Sequence, residues 1–143
     1  MKLLTTTLVT LLLGFAGSSY GQSYVETKLS DEQGDANTQY NLGIMYANEE
    51  GVPENDAEAF KWYRLAAEQS LGVAQLNLGV KHANGDGVPE NDAEAVKWYR
   101  LAAEQGHATA QTALGGMYDY GEGVPQNNIR AYVWYSVAAT QGH

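Results

Sequence analysis

Apolar and small residues recur along this chain at helical spacing, and the same stripe returns three times. Thr38, Leu42 and Tyr46 stand four apart, as do Ala74, Leu78 and His82, and Ala110, Leu114 and Tyr118. Side chains four apart lie one above another on a helix, so each set predicts one face of an amphipathic helix. These A helices are expected at about Asp35–Asn48, Gly72–Asn84 and Ala108–Tyr120. A second stripe, Ala59, Trp62, Tyr63, Ala66 and Ala67, recurs over Ala95 to Ala103 and Ala131 to Ala139. It predicts B helices at about Asp56–Gln69, Asp92–Gln105 and Asn128–Gln141. Large aromatics alternate with alanines, so Trp62, Trp98 and Trp134, with their neighbouring tyrosines, are expected to fill hollows over alanine pairs.

Between the A and B helices runs a repeated turn. Gly51-Val52-Pro53-Glu54-Asn55, Gly87-Val88-Pro89-Glu90-Asn91 and Gly123-Val124-Pro125-Gln126-Asn127 stand 36 residues apart. A fixed period in this range marks a stack of two-helix units that bury a face only against their neighbours. Pro53, Pro89 and Pro125 stop helix A. Asn55, Asn91 and Asn127 are placed to cap helix B, and Asp56, Glu58, Asp92 and Glu94 fall in its first turn, where the helix dipole favours them. Gly43, Gly79 and Gly115 sit inside the A helices, where a glycine costs about 1 kcal/mol against alanine. Keeping it three times predicts a neighbour too close for a Cβ.

The segment before the repeats divides in two. Met1-Lys2, an uncharged run from Leu3 to Phe15 and the small residues after it read as a secretory signal peptide over 1–21, too short to span a bilayer. Residues 22–33 align with the end of a B helix, but Glu26 and Thr27 replace its Trp and Tyr. That degraded half-repeat is expected to cap the stack. The repeats are then expected over 34–70, 71–106 and 107–143, giving an all-α chain.

Composition narrows the chemistry. The chain has no cysteine, which excludes a lipoprotein anchor, a disulfide framework and a thiolate metal site or nucleophile. Its formal charge is −9 with scattered lysines and arginines, an acidic surface that disfavours nucleic acid and anionic lipid. His82 and His107 are too far apart and too alone for zinc; His82 is expected as a core substitute for tyrosine and His107 at a helix start. The acidic turns lack the spacing of a calcium loop. Ser23, Ser30, Ser70 and Ser136 stand in no nucleophile motif. No cofactor, metal or catalytic set is expected.

The third repeat reads Ala110-Gln111, Leu114-Gly115, Tyr118, Gly121, Gly123-Val124-Pro125, Asn127, Ala131, Trp134-Tyr135, Ala138-Ala139, Gln141-Gly142. This pattern resembles the Sel1-like repeat family, relatives of the tetratricopeptide repeats, over about Gly34 to Gly142. The resemblance implies a short right-handed α-solenoid of antiparallel helix pairs and a protein-binding or adaptor role; a fold of this kind specifies little about function by itself. Some secreted members are linked to penicillin binding and β-lactam hydrolysis, but those are rich in cysteine and this chain has none. Lack of cysteine in this family leans towards a bacterial envelope.

Two departures bear on structure. Glu49 stands where the other repeats have Gly85 and Gly121; a left-handed glutamate costs about 1 kcal/mol or more, so the first A helix is expected to end early, at Asn48. The last B helix has Tyr132 for Phe60 and Val96, and Val133 for Lys61 and Lys97; this apolar face is expected to meet a partner or a second copy.

Positions that differ among the repeats are free to be set by a ligand. On the A helices these give an apolar strip of Tyr40, Ile44, Leu76 and Val80, edged by Asn41, Asn77 and Tyr120. In related solenoids helix A lines the concave surface, so these seven are expected to form a groove for an extended or helical peptide. The expected function is an exported scaffold, bacterial periplasmic or extracellular, that binds another protein or peptide without stable membrane insertion. The alternative is an envelope protein that binds a cell-wall or β-lactam ligand with weak or no hydrolysis.

Overall fold

The computed structural model describes residues 34–142, so the expected signal peptide and capping half-repeat lie outside the described residues. The repeats form six helices: α1 (Ala36–Ala47), α2 (Asp56–Glu68), α3 (Gly72–Asn84), α4 (Asp92–Glu104), α5 (Ala108–Tyr120) and α6 (Asn128–Ala139). No strand occurs among the described residues. The main packing runs between helices adjacent in sequence, which makes the molecule an all-α solenoid. No helix among the described residues is long and apolar enough to cross a membrane.

The expected caps form. Asn55, Asn91 and Asn127 accept from the amides of Glu58, Glu94 and Arg130 at 3.0, 3.1 and 3.0 Å. Each of these asparagines also donates its own amide to a carbonyl near the end of helix A, of Tyr46, His82 and Tyr118 respectively. The turn is thus held at both ends. This explains a correction at Glu49. Helix α1 ends at Ala47 with Asn48 as its cap, yet Glu49 still takes φ +58°, the left-handed conformation of Gly85 at +73°. The Glu50 amide donates to the Met45 carbonyl as Asp86 donates to Lys81. Those bonds require the left-handed residue, and they outweigh its local cost.

The core combines alanines and one leucine per repeat with buried Tyr63, Val96, Tyr99, Met117 and Tyr118. Leu42, Leu78 and Leu114 are the largest fully buried side chains. The three helical glycines meet tyrosine rings: a Cβ on Gly43, Gly79 or Gly115 would lie 2.6, 2.5 or 2.8 Å from Tyr63, Tyr99 or Tyr135. The predicted close neighbour is therefore a side chain of helix B in the same repeat. The tryptophans behave differently from the tyrosines. Trp98 packs against the cluster formed by Ala59, Tyr63, Ala66, Ala67, Ala74 and Leu78, reaching back to the preceding repeat. Trp134 does the same against the next cluster. Successive repeats also meet through the turn, where a Cβ on Gly87 would lie 2.6 Å from the Asp56 carbonyl oxygen.

A ladder of glutamines ties the layers together. Buried Gln75 and Gln111 donate to the carbonyls of Ala67 and Ala103, at the end of the preceding B helix, at 3.2 and 3.1 Å. Each accepts in turn from Gln105 or Gln141 of its own repeat, at 2.7 and 2.9 Å. Gln69 closes the same bond to Gln39 at 2.8 Å. These helix-end carbonyls already accept backbone amides, from Ser70 and Gly106, and the glutamine adds a bond that links one repeat to the next. The repeated Ala-Gln and Gln-Gly pairs carried this signal in the sequence, although their spacing alone does not show that they meet.

Candidate functional site

The seven expected groove residues fall into three placements. Tyr40 and Asn77 meet across the joint between the first two repeats: the Asn77 carboxamide donates to the Tyr40 hydroxyl at 3.2 Å. The Tyr40 ring also lies 5.4 Å from the ring of Tyr63, whose hydroxyl is pushed up to about 12 by burial and then by Tyr40. Ile44 and Leu76 are half-buried and pack against core clusters. Asn41, Val80 and Tyr120 are exposed. Tyr120 stands apart at the end of α5, near enough to Tyr135 to raise its hydroxyl pKa, after burial and Asp119. Lys81, beside Val80, turns inward to Asp56 of α2 at 3.7 Å and lies over the Tyr63 ring.

Two equivalent clefts form between successive repeats, and the sequence reading missed both. The first, of about 320 Å³, is lined by Phe60, Arg64, His82, Glu94 and Trp98. Its charges are matched locally. Arg64 bonds Glu68 at 2.9 Å, and Glu94 pairs with Lys97, whose hydrogen bond holds the Glu94 carboxyl below its usual range. The His82 ring stands edge-on to Phe60. Burial lowers its pKa; Glu94 opposes that shift and Arg64 adds to it. His82 Nδ1 is buried without a hydrogen-bond partner. His82 does replace a tyrosine as expected, but it lines a cleft instead of filling the core. His107 lies at the start of α5 and packs on Gly72.

The second cleft, of about 410 Å³, is lined by Arg100, Glu104, Tyr118, Arg130, Val133 and Trp134. Thirty-six residues on from Arg64, His82 and Glu94 stand Arg100, Tyr118 and Arg130. Arg100 and Arg130 both donate to the Tyr118 hydroxyl oxygen, at 2.8 and 3.1 Å. Burial would raise the Tyr118 pKa, but the Arg130 hydrogen bond and the Arg100 charge bring it below the ordinary tyrosine value. The signal was legible as the paired change of Glu94 to Arg130 and Lys97 to Val133 between repeats, but only the fold brings Arg100 beside them. Among the described residues, no group of three or more histidines and carboxylates is placed to hold a metal ion.

The chain is similar to several solved proteins. A protective antigen present in uropathogenic Escherichia coli strains, displaying an SLR fold, is 46% identical over 82% of this chain, with a TM-score of 0.80; the match covers 25% of that protein, so this chain spans about a quarter of its length. A Sel1 repeat protein from Oxalobacter formigenes is 38% identical over 85% of this chain and 92% of its own, with a TM-score of 0.79. Helicobacter pylori cysteine-rich protein B shares the fold at 18% identity, over 89% of this chain and 93% of its own, with a TM-score of 0.68. No curated protein matches the chain. The family profile of the Sel1 repeat matches three consecutive segments, 36–71, 72–107 and 108–143. With that match over most of its length, the chain belongs to the Sel1 repeat family, whose solenoids typically serve as protein-interaction scaffolds.

Proposed function

We infer that the chain is an exported scaffold that holds a protein or peptide segment on the surface of its A helices, without a cofactor. The observation that carries this reading is Val80, 38% exposed on α3, with half-buried Ile44 one repeat earlier and exposed Asn41 beside that row. None of these positions is constrained by the repeated pattern. Apolar side chains there offer pockets for a partner's side chains, and asparagine offers both a donor and acceptors for its backbone. Export rests on the signal-peptide pattern of residues 1–21. A photo-crosslinking residue at Asn41 or Val80 in the exporting cell is expected to capture one dominant partner, and the same residue at Leu101 of α4 is not. If the folded double variant Ile44→Ala, Val80→Ala holds that partner unchanged, the groove assignment is wrong.

A second reading concerns α6. Tyr132 and Tyr135 occupy the register that in α4 holds Val96 and Tyr99, which are buried in one cluster with Leu114, Met117 and Tyr118 of α5. Unlike α2 and α4, α6 contains no acidic residue, so an acidic chain can approach this helix with the least like-charge repulsion. An A-helix surface of a second copy is the occupant that fits this register. Sedimentation at micromolar concentration is expected to show association that Tyr132→Lys abolishes; a monomer under those conditions ends this reading.

A further inference from the structure

We propose that the cleft between α4, α5 and α6 binds a carboxylate borne on an apolar or aromatic body. This site uses none of the seven groove residues and does not depend on the scaffold reading. Two of the chain's three arginines converge there on one phenolic oxygen. Among the described residues, neither guanidinium lies within ion-pair distance of a carboxylate. Two cations side by side repel each other, and in a chain of net charge −9 that pairing is not a result of general basicity. Each guanidinium has five N–H donors and spends one on Tyr118. The Tyr118 oxygen receives both bonds, so its own O–H is a further donor pointing for an acceptor. A carboxylate supplies the acceptors that all three groups lack, and arginine forks match its two oxygens.

The apolar requirement comes from the wall. In the first two repeats the outer edge of helix B carries a lysine paired with a glutamate, Lys61 with Glu58 and Lys97 with Glu94. In the third, that pair has become Val133 and Arg130. The exchange adds a cation inside the cleft and removes one from its rim. Val133 and Trp134 then form an apolar side next to the two arginines. Glu104 also lines the cleft. Its counterpart Glu68 bonds Arg64, whereas Arg100 bonds Tyr118 and leaves Glu104 unpaired, so Glu104 acts as a competitor for the incoming anion.

The test is a titration of the full mature chain with N-acetyl-phenylalanine, followed by the indole and guanidinium N–H signals in NMR. Saturable shifts at Trp134, Arg100 and Arg130 are expected, and N-acetyl-phenylalaninamide is expected to give none. Arg130→Glu places in the third repeat the residue that the second repeat already accommodates, so folding is expected to survive; it should weaken binding about tenfold or more, as expected for loss of a charge-assisted bond. Glu104→Gln should tighten it. A short peptide ending in free phenylalanine separates the sources: tighter binding than the amino acid derivative identifies a chain terminus, and equal binding identifies a small organic acid. No saturation by the acid, equal shifts by the amide, unchanged affinity in Arg130→Glu or weaker binding in Glu104→Gln would each overturn the proposal.

Discussion

In the second repeat α4 carries Val96 and Tyr99 at 3% and 6% exposure, whereas in the third α6 carries Tyr132 and Tyr135 at the same positions at 74% and 37%. The local sequence is nearly the same, Ala-x-x-Trp-Tyr-x-x-Ala-Ala in both. What differs is the neighbour. Helix α5, of the next repeat, lies against α4, whereas among the described residues α6 packs only on α5 of its own repeat and no following helix takes that place. The inner alanines show the complementary result: Ala95, Ala102, Ala131 and Ala138 are buried alike, because helix A of the same repeat covers them in both cases. Each B helix therefore has one face satisfied within its repeat and one satisfied only by stacking, and repeat stability divides into an intrinsic part and an interface part.

The sharpest way to break this comparison is to truncate the equivalent tyrosines. Tyr99→Ala empties a site enclosed on both sides and is expected to cost about 3–5 kcal/mol, as large aromatic truncations do. Tyr135→Ala removes a ring that only Gly115 and its surroundings cover and should cost less than half of that. Urea unfolding of the two variants, compared at equal slope, measures the difference. Equal losses would mean that stacking contributes little to burial of this position.

The glutamine ladder offers a second, smaller contrast. Gln111→Leu removes the side-chain bond to the Ala103 carbonyl and the acceptor of the Gln141 amide, and is expected to destabilise by about 1–3 kcal/mol. Gln141→Ala removes one bond, from an exposed side chain to the Gln111 oxygen, and should cost less, about 1 kcal/mol. If the two cost the same, the bond from Gln111 to the preceding B helix adds nothing to the ladder.

Glu49 allows the first repeat to be compared with its siblings. Glu49→Gly relieves a left-handed non-glycine residue and is expected to add about 1 kcal/mol of stability. Gly85→Ala should lose a similar amount at the equivalent turn. A Glu49→Gly variant with an unchanged thermal midpoint would show that the turn's hydrogen bonds already absorb the strain.

The smallest effect concerns the two clefts. Burial depresses the His82 pKa in the folded state, so the unfolded chain takes up its proton first. The contribution of His82 is thus fully present above pH 6.5 and is lost as pH falls below that ordinary histidine value towards the depressed folded one. The melting temperature should show a decline in this window that His82→Tyr, which copies Tyr118, removes. A decline that persists in the variant would assign it to another group.

Much of the fold was legible because the repeat supplies its own internal alignment. Helix starts followed from three asparagine caps, helix stops from three prolines, and the tight helical glycines from their recurrence. The groove was legible only in part. Repeat comparison marks which positions vary, but Tyr40 varies and is still tied into a joint by Asn77. The clefts escaped notice because each draws on three helices. Arg100 and Arg130 stand 30 residues apart, and nothing in one dimension shows that both reach Tyr118.

The sequence by itself determined the helices, their order and their period, because caps, turn residues and apolar stripes act within a few residues of where they stand. Only the tertiary structure decided that Glu49 would be left-handed, that tyrosine would cover glycine while tryptophan reached backwards, and that two guanidinium groups would share one hydroxyl. Those outcomes depend on distances between residues of different helices, and such distances are set when one repeat packs on the next.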